Sequence, residues 1–189
     1  MIDFLEKGKA SSPNVGLAYV YCDYRDQIQQ TTKNIIGAIL KQLLRQMPSI
    51  PKEIAAFLEK HCNETEPFEL SQALEALHTT CKSFSRIFIC LDALDECQDM
   101  HKLLNSLEQV PSTVRLFSTG REHVQHIVRQ HFEHTQTIHI EAKESDIRIL
   151  IEETINEDRK KDPSLMNETL EHDITQKIST LSKGMFVIT

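Results

Sequence analysis

The residues best suited to chemistry stand together in Arg86–Cys97, RIFICLDALDEC. An apolar run, Ile87–Leu91, ends in Asp92; small Ala93 and Leu94 follow, then the acidic pair Asp95 and Glu96. If the run is a buried strand of a parallel sheet, these carboxylates stand at its C-terminal end, where open α/β sheets bind their ligands. Hard divalent cations take oxygen ligands, and Mg2+ commonly uses one or two carboxylates with waters and phosphates completing its shell. Asp92 is placed for that role. Asp95 or Glu96, a few residues on, is placed to polarise an attacking water. The bare pattern also suits acidic residues that end a strand and cap the next helix.

Other groups with metal or redox potential read more plainly. His123, His126, His131 and His134 fall close together, but both close pairs are spaced i, i+3. A helical metal pair of the known kind wants i, i+4, so they read as a solvated helix face. The cysteines are Cys22, Cys62, Cys81, Cys90 and Cys97, with no CxxC pair among them. Together with an N-terminus unlike a secretory signal, they read as reduced thiols of a cytoplasmic protein. Cys90, inside the apolar run, reads as a small core residue.

The elements that must position the carboxylates follow from periodicity. Short apolar runs predict strands over Gly16–Cys22, Arg86–Asp92 and Val114–Thr119, and an alternating one over Thr135–Glu141; continuous apolar runs suit parallel strands covered on both faces. Helical spacing lies between them. Thr31 or Thr32 caps a helix whose Ile36, Ile39, Leu40, Leu43 and Leu44 share a face; Ile54, Phe57 and Leu58 recur in the next, after Pro51. Ser71 caps one with Leu74, Leu77 and Cys81; Asp99 opens one with Leu103, Leu104 and Leu107; Val124, Ile127, Val128 and Phe132 mark another. Strands separated by helices predict an α/β fold, a mostly parallel sheet with right-handed crossovers and helices on both faces. After Glu141 the pattern turns all-helical. Ser145 caps a helix with Ile147, Leu150, Ile151 and Ile155, the charged stretch Glu157–Asp162 breaks it, and a last helix carries Leu170, Ile174, Ile178 and Leu181 before Gly184. Two regions are expected, a core over 1–142 and a helical segment over 143–189.

Taken in order, these segments resemble a NACHT domain, of the STAND class of P-loop NTPases. Five apolar residues followed by Asp92-Ala93-Leu94-Asp95-Glu96 look like its Walker B motif. Tyr21–Tyr24 looks like the second-strand motif of fungal members, Val114–Arg121 like the sensor strand, and Ser182–Phe186 like the segment after the lid. The subgroup most resembled is the fungal nephrocystin-like one. The resemblance implies a three-layer P-loop NTPase-like sandwich followed by the start of a helical lid. It implies that Asp92 holds Mg2+ through water, that Asp95 is the catalytic carboxylate with Glu96 beside it, and that Arg121 senses the γ-phosphate. Gly120 and Glu122 depart from the family's more usual Ser and Pro, which puts the position of Arg121 in question. The implied ligand of a complete domain is Mg-ATP or ADP, and the implied function is a nucleotide-dependent signalling switch.

One family feature is missing from the chain. A phosphate-binding loop is GxxxxGK[ST] between a strand and a helix, and none of the five glycines starts such a run. Gly8-Lys9 lacks the earlier glycine and the hydroxyl residue. Met1–Glu6 reads as the end of the helix that follows the loop, so the chain is expected to be a fragment beginning after it, without the first strand. No tightly bound cofactor is expected for this chain by itself, and the alternative is a non-catalytic scaffold that self-associates. The formal net charge of -7 argues against nucleic acid as a partner. No apolar run approaches the roughly 18 residues of a membrane span.

Overall fold

Three strands, Val15–Tyr21 (β1), Arg86–Asp92 (β2) and Val114–Ser118 (β3), form a parallel sheet in the order β1-β2-β3. The computed structural model describes residues 2–9, 14–62, 69–141, 143–162 and 167–182. Tyr21 lies opposite Asp92, and Leu91 opposite Ser118, so all three strands end on one edge. β2 is central and the most apolar: Ile87, Ile89 and Leu91 on one face are almost fully buried, and Cys90 on the other is also buried.

Helices make the crossovers. Between β1 and β2 lie α2 (Thr32–Leu44), α3 (Lys52–Cys62) and α4 (Leu70–Cys81); between β2 and β3 lies α5 (Met100–Glu108). The chain crosses in the same direction both times, and right-handed crossovers then lay both sets of helices on one face. α2 accordingly touches β1, α4 and α5. Its stripe Ile35, Ile36, Ile39, Leu40 and Leu43 is buried, each such side chain being worth roughly 1.5–3 kcal/mol of transfer free energy. Ala73, Ala76, Leu77 and Cys81 of α4 and Leu103, Leu104 and Leu107 of α5 complete the same core. The other face carries α1 (Ile2–Lys9) against β1, while Arg115 and Phe117 of β3 are exposed there. After β3 comes α6 (Gln125–His131), which packs on α5.

The helix ends explain themselves locally. Thr31 Oγ1 accepts from Asn34 N–H at 3.3 Å, and Asp99 Oδ1 from Lys102 N–H at 3.3 Å, each satisfying an otherwise orphaned donor. α4 starts at Glu69 rather than at Ser71, because Gln72 folds back and accepts from the Glu69 N–H at 2.7 Å, the reciprocal half of a capping box.

The two edges of the sheet differ. On β1 the outward backbone groups are met by glutamines. Leu17 N–H donates to Gln46 Oε1 at 3.0 Å and Leu17 C=O accepts from Gln46 Nε2 at 2.6 Å. Tyr19 is met by Gln42 in the same way, at 3.0 and 2.8 Å, and Tyr21 C=O by Gln30 Nε2 at 3.0 Å. Each of Gln42 and Gln46 offers one acceptor and one donor, as a neighbouring strand residue would, so α2 and the turn after it close this edge. β3 is the opposite edge. Ile87 N–H donates to Thr113 C=O, and Thr119 N–H to Leu91 C=O. With the observed register, the backbones of Leu116 and Ser118 therefore face away from the sheet.

The chain divides into two compact units, residues 1–135 and 136–189. The second holds α7 (Glu144–Lys161) and α8 (Glu168–Ser182), where Ile147, Ile151 and Ile155 form a small core with Ile174 and Ile178. Three expectations are corrected here. Thr135–Glu141 is no strand: alternation alone cannot make one without a backbone partner, and Ile138 and Ile140 are 82% and 86% exposed. Glu157–Lys161 does not break the helix but forms its last turns, Arg159 pairing with Glu171 of α8 at 2.5 Å. The N-cap of α7 is Lys143 rather than Ser145, whose hydroxyl bonds Asp146 Oδ1 instead. Lys183–Phe186, and the side chains of Leu58, Cys62 and Leu181, lie outside the described residues. No described helix is long and apolar enough to cross a membrane.

Candidate functional site

The end of β2 is built to turn sharply. Asp92 is its last residue, and Ala93 then adopts the left-handed conformation with φ 53°, a backbone that costs a residue with a Cβ roughly 1–2 kcal/mol. The turn drops Leu94 into the core, where it is fully buried, and starts a 3₁₀ turn, Leu94–Glu96. The neighbouring strand pays for this geometry. Thr119, just past β3, donates its N–H to Leu91 C=O at 2.9 Å and accepts Leu94 N–H on its C=O at 2.8 Å. Its hydroxyl accepts from Ala93 N–H at 3.0 Å and donates to Asp92 Oδ1 at 2.5 Å. One residue thus fixes both the strained turn and the orientation of the Asp92 carboxylate. Thr119 was not singled out from the sequence; the signal available was a hydroxyl ending the strand next to the acidic one.

Asp95 faces the chain leaving β3. Its Oδ1 accepts from Arg121 N–H at 3.2 Å, and its Oδ2 lies 3.3 Å from Arg121 Nε. The carboxylate is 8% exposed, whereas the Arg121 side chain is 72% exposed. Gly120 lies close over the next turn: a Cβ there would come within 2.9 Å of Val124 Cγ2, but only within ordinary contact distance, 3.4 Å, of Asp95 Oδ1. Glu96 faces the other way. Its Oε2 accepts from Tyr24 N–H at 3.1 Å and its C=O from Gln27 Nε2 at 3.2 Å, tying down the segment after β1.

That segment is ordered from its own sequence as well. Arg25 forks onto Asp23, with Nη2 at 2.6 Å from Oδ2, and the guanidinium holds the Asp23 carboxyl down at about 2. The buried thiols of Cys22 and Cys97 perturb one another. Cys97 and burial push Cys22 well above the ordinary thiol range, and Cys22 draws Cys97 below it. Both are free thiols.

The structure therefore brings Asp92, Asp95 and Arg121 together at the C-terminal edge of β2 and β3, and sets Glu96 toward the exit of β1. Chemically the edge offers one exposed carboxylate with a fixed orientation, Asp92, a second held by a guanidinium, and a third engaged by a backbone amide. A carboxylate oriented by a hydroxyl suits a hydrated divalent cation, which needs few protein ligands. Among the described residues no group of three or more His, Cys, Asp or Glu side chains closes a cage of its own round a metal.

The histidines are partly as expected. His123, His126 and His134 are exposed, but His131 is not part of that solvated face: its side chain is 11% exposed and packs between two polar partners on α5. Comparison with known proteins finds a family match. The family described as Nephrocystin 3, N-terminal, matches residues 1–121, a span that ends on Arg121. No curated protein matches the chain.

Proposed function

Because the chain belongs to the nephrocystin 3 N-terminal family, we propose that it is part of a NACHT-type regulatory NTPase module, a Mg-ATP or ADP-dependent signalling switch. The observation that supports this reading most is the clustering of Asp92, Asp95, Thr119 and Arg121 at one sheet edge. In this reading Asp92 binds the hydrated Mg2+ and Asp95 is the carboxylate toward the attacking water. Arg121 would leave Asp95 for the γ-phosphate when nucleotide is present, since a guanidinium forks well onto phosphate oxygens and its own side chain is 72% exposed, while the buried Asp95 carboxylate keeps the Arg121 N–H.

The same reading sets a limit. Phosphoryl transfer rests on positioning and on electrostatic stabilisation of the phosphates, and the sequence contains no GxxxxGK[ST] run to supply backbone donors and a lysine. Each hydrogen bond to a charged group is worth roughly 1.5–3 kcal/mol, and each step of about 1.4 kcal/mol is tenfold in affinity. Calorimetric titration of this chain with Mg-ATP is therefore expected to show no micromolar binding and no measurable hydrolysis. Micromolar binding abolished by Asp92→Ala would mean that the phosphates are held by groups other than those named.

A second reading, a non-catalytic module that self-associates, is favoured by one observation. The β1 edge is closed by glutamines, whereas Leu116 and Ser118 turn their backbone groups outward on β3. Unpaired strand edges recruit other strands. Ser118→Pro removes one outward N–H at an edge position that tolerates proline. If β3 mediates association, the wild-type chain sediments as a dimer or larger and the proline variant shifts to monomer. A wild-type monomer at high concentration would remove this reading.

A further inference from the structure

We propose that His101 and His131 form a two-imidazole binding site for Zn2+, with Glu108 as the carboxylate that orients it. The site lies between α5 and α6, on residues that the acidic edge does not use.

The geometry starts from two helix positions. His101 is the second residue of α5 and His131 the last of α6. The two helices pack on each other through the core, Leu103, Leu104 and Leu107 on one side and Val128 on the other. That packing sets His101 Nδ1 3.3 Å from His131 Nε2, with ring centroids 5.6 Å apart and planes inclined by 58°. Two nitrogens on a tetrahedral zinc, each about 2.0–2.1 Å from the metal, stand about 3.3 Å apart. The nitrogens are thus already at the spacing that two ligands of one zinc ion adopt, and closing the site needs only small ring rotations.

The outer shell is also present. His131 Nδ1 lies 2.7 Å from Glu108 Oε1. A carboxylate there accepts the Nδ1 proton, which leaves the Nε2 lone pair directed at His101. Metal-ligating histidines almost always donate their other ring N–H to such a partner, which fixes the tautomer and raises ligand basicity. His131 is held on that bond in a side chain only 11% exposed, while His101 is exposed and gives the ion access from solvent. Without metal the two rings share one hydrogen bond, and one nitrogen of the facing pair must carry the proton. When zinc takes both lone pairs, that proton moves to His101 Nε2, which faces solvent, so each ring stays neutral. No third His, Cys, Asp or Glu among the described residues joins them, so water fills the remaining positions. Imidazole pairs suit Zn2+ over Mg2+, which prefers oxygen ligands. The ion taken here is therefore chemically distinct from the one proposed at Asp92.

The test uses the whole chain titrated with ZnCl2, followed by calorimetry and by long-range 1H–15N spectra of the histidine rings. One zinc per chain is expected, with the Nδ1 resonance of His101 and the Nε2 resonance of His131 shifting together. His101→Gln, a surface change, is expected to weaken binding at least tenfold. Glu108→Gln, which keeps both ligands, is expected to weaken it by about tenfold or more. The ring spectra of the unmodified chain assign the ligands even if a His131 variant fails to fold. The proposal is overturned if zinc shifts other histidines instead, if binding survives His101→Gln unchanged, or if the wild-type chain takes up no zinc at millimolar concentration.

Discussion

A Gln42→Ala/Gln46→Ala double variant is expected to lose about 3 kcal/mol of folding stability, with the Gln46→Ala variant losing more than the Gln42→Ala variant. The two amides supply both partners to Leu17 and both to Tyr19 on the β1 edge. Leu17 is 4% exposed, so its N–H and C=O cannot simply turn to water, and a buried group left without its partner costs about 1–3 kcal/mol. Tyr19 is half-buried and contributes less. Urea melts of the wild-type, single and double variants measure the difference. Losses below about 0.5 kcal/mol, the usual size of a surface change, would mean that the edge is solvated and the glutamines are incidental. The double variant also opens the second edge of the sheet, so it is expected to aggregate more readily than the wild type.

The second large effect comes from glycine, where one substitution type carries opposite signs at two positions. A Cβ at Gly16 would stand 2.9 Å from Leu43 Cδ2, 3.1 Å from Ile87 Cγ1 and 3.2 Å from Phe84 Cδ1. These neighbours belong to α2, to β2 and to the turn before β2, all inside the main core, so none can yield without moving another. Overpacking of this kind costs about 1–3 kcal/mol, and Gly16→Val is expected at the upper end. At Gly37, inside α2, a Cβ meets nothing within 4 Å. Gly37→Ala is therefore expected to gain about 0.5–1 kcal/mol through helix propensity and a less flexible unfolded chain. Thermal unfolding of Gly16→Val, Gly16→Ala and Gly37→Ala decides it. A Gly16→Val variant as stable as the wild type would show that β1 does not sit this close to α2.

What the sequence could reveal follows from how each feature is encoded. β2 was legible to both ends because an unbroken apolar run is bounded by Arg86 and by Asp92, and a central parallel strand has that signature. β1 and β3 came out within one residue at each end for the same reason. Thr135–Glu141 misled because alternation reports a face, not a partner. The break expected at Glu157–Asp162 was drawn from charge alone, but Glu157, Arg159 and Lys161 prolong an exposed helix whose buried stripe ends at Ile155. The acidic edge was legible as a motif, since Asp92, Asp95 and Glu96 are near neighbours in the chain. The groups that hold it were not. Thr119, Tyr24 and Gln27 come from other segments, and their roles exist only once β1, β2 and β3 are side by side. His101 is thirty residues from His131, which is why spacing within the histidine-rich stretch showed no pair.

On the proposed function, the edge formed by Asp92, Asp95, Thr119 and Arg121 is where a divalent cation and nucleotide would meet this chain. Paramagnetic relaxation by Mn2+ in the presence of millimolar ATP tests it directly, because amide spectra detect weak binding that calorimetry misses. Selective broadening is expected of the amides of Ala93, Asp95, Thr119, Gly120 and Arg121, lost in Asp92→Asn while the rest of the spectrum stays in place. Broadening that is centred elsewhere, or that persists unchanged in Asp92→Asn, would contradict it.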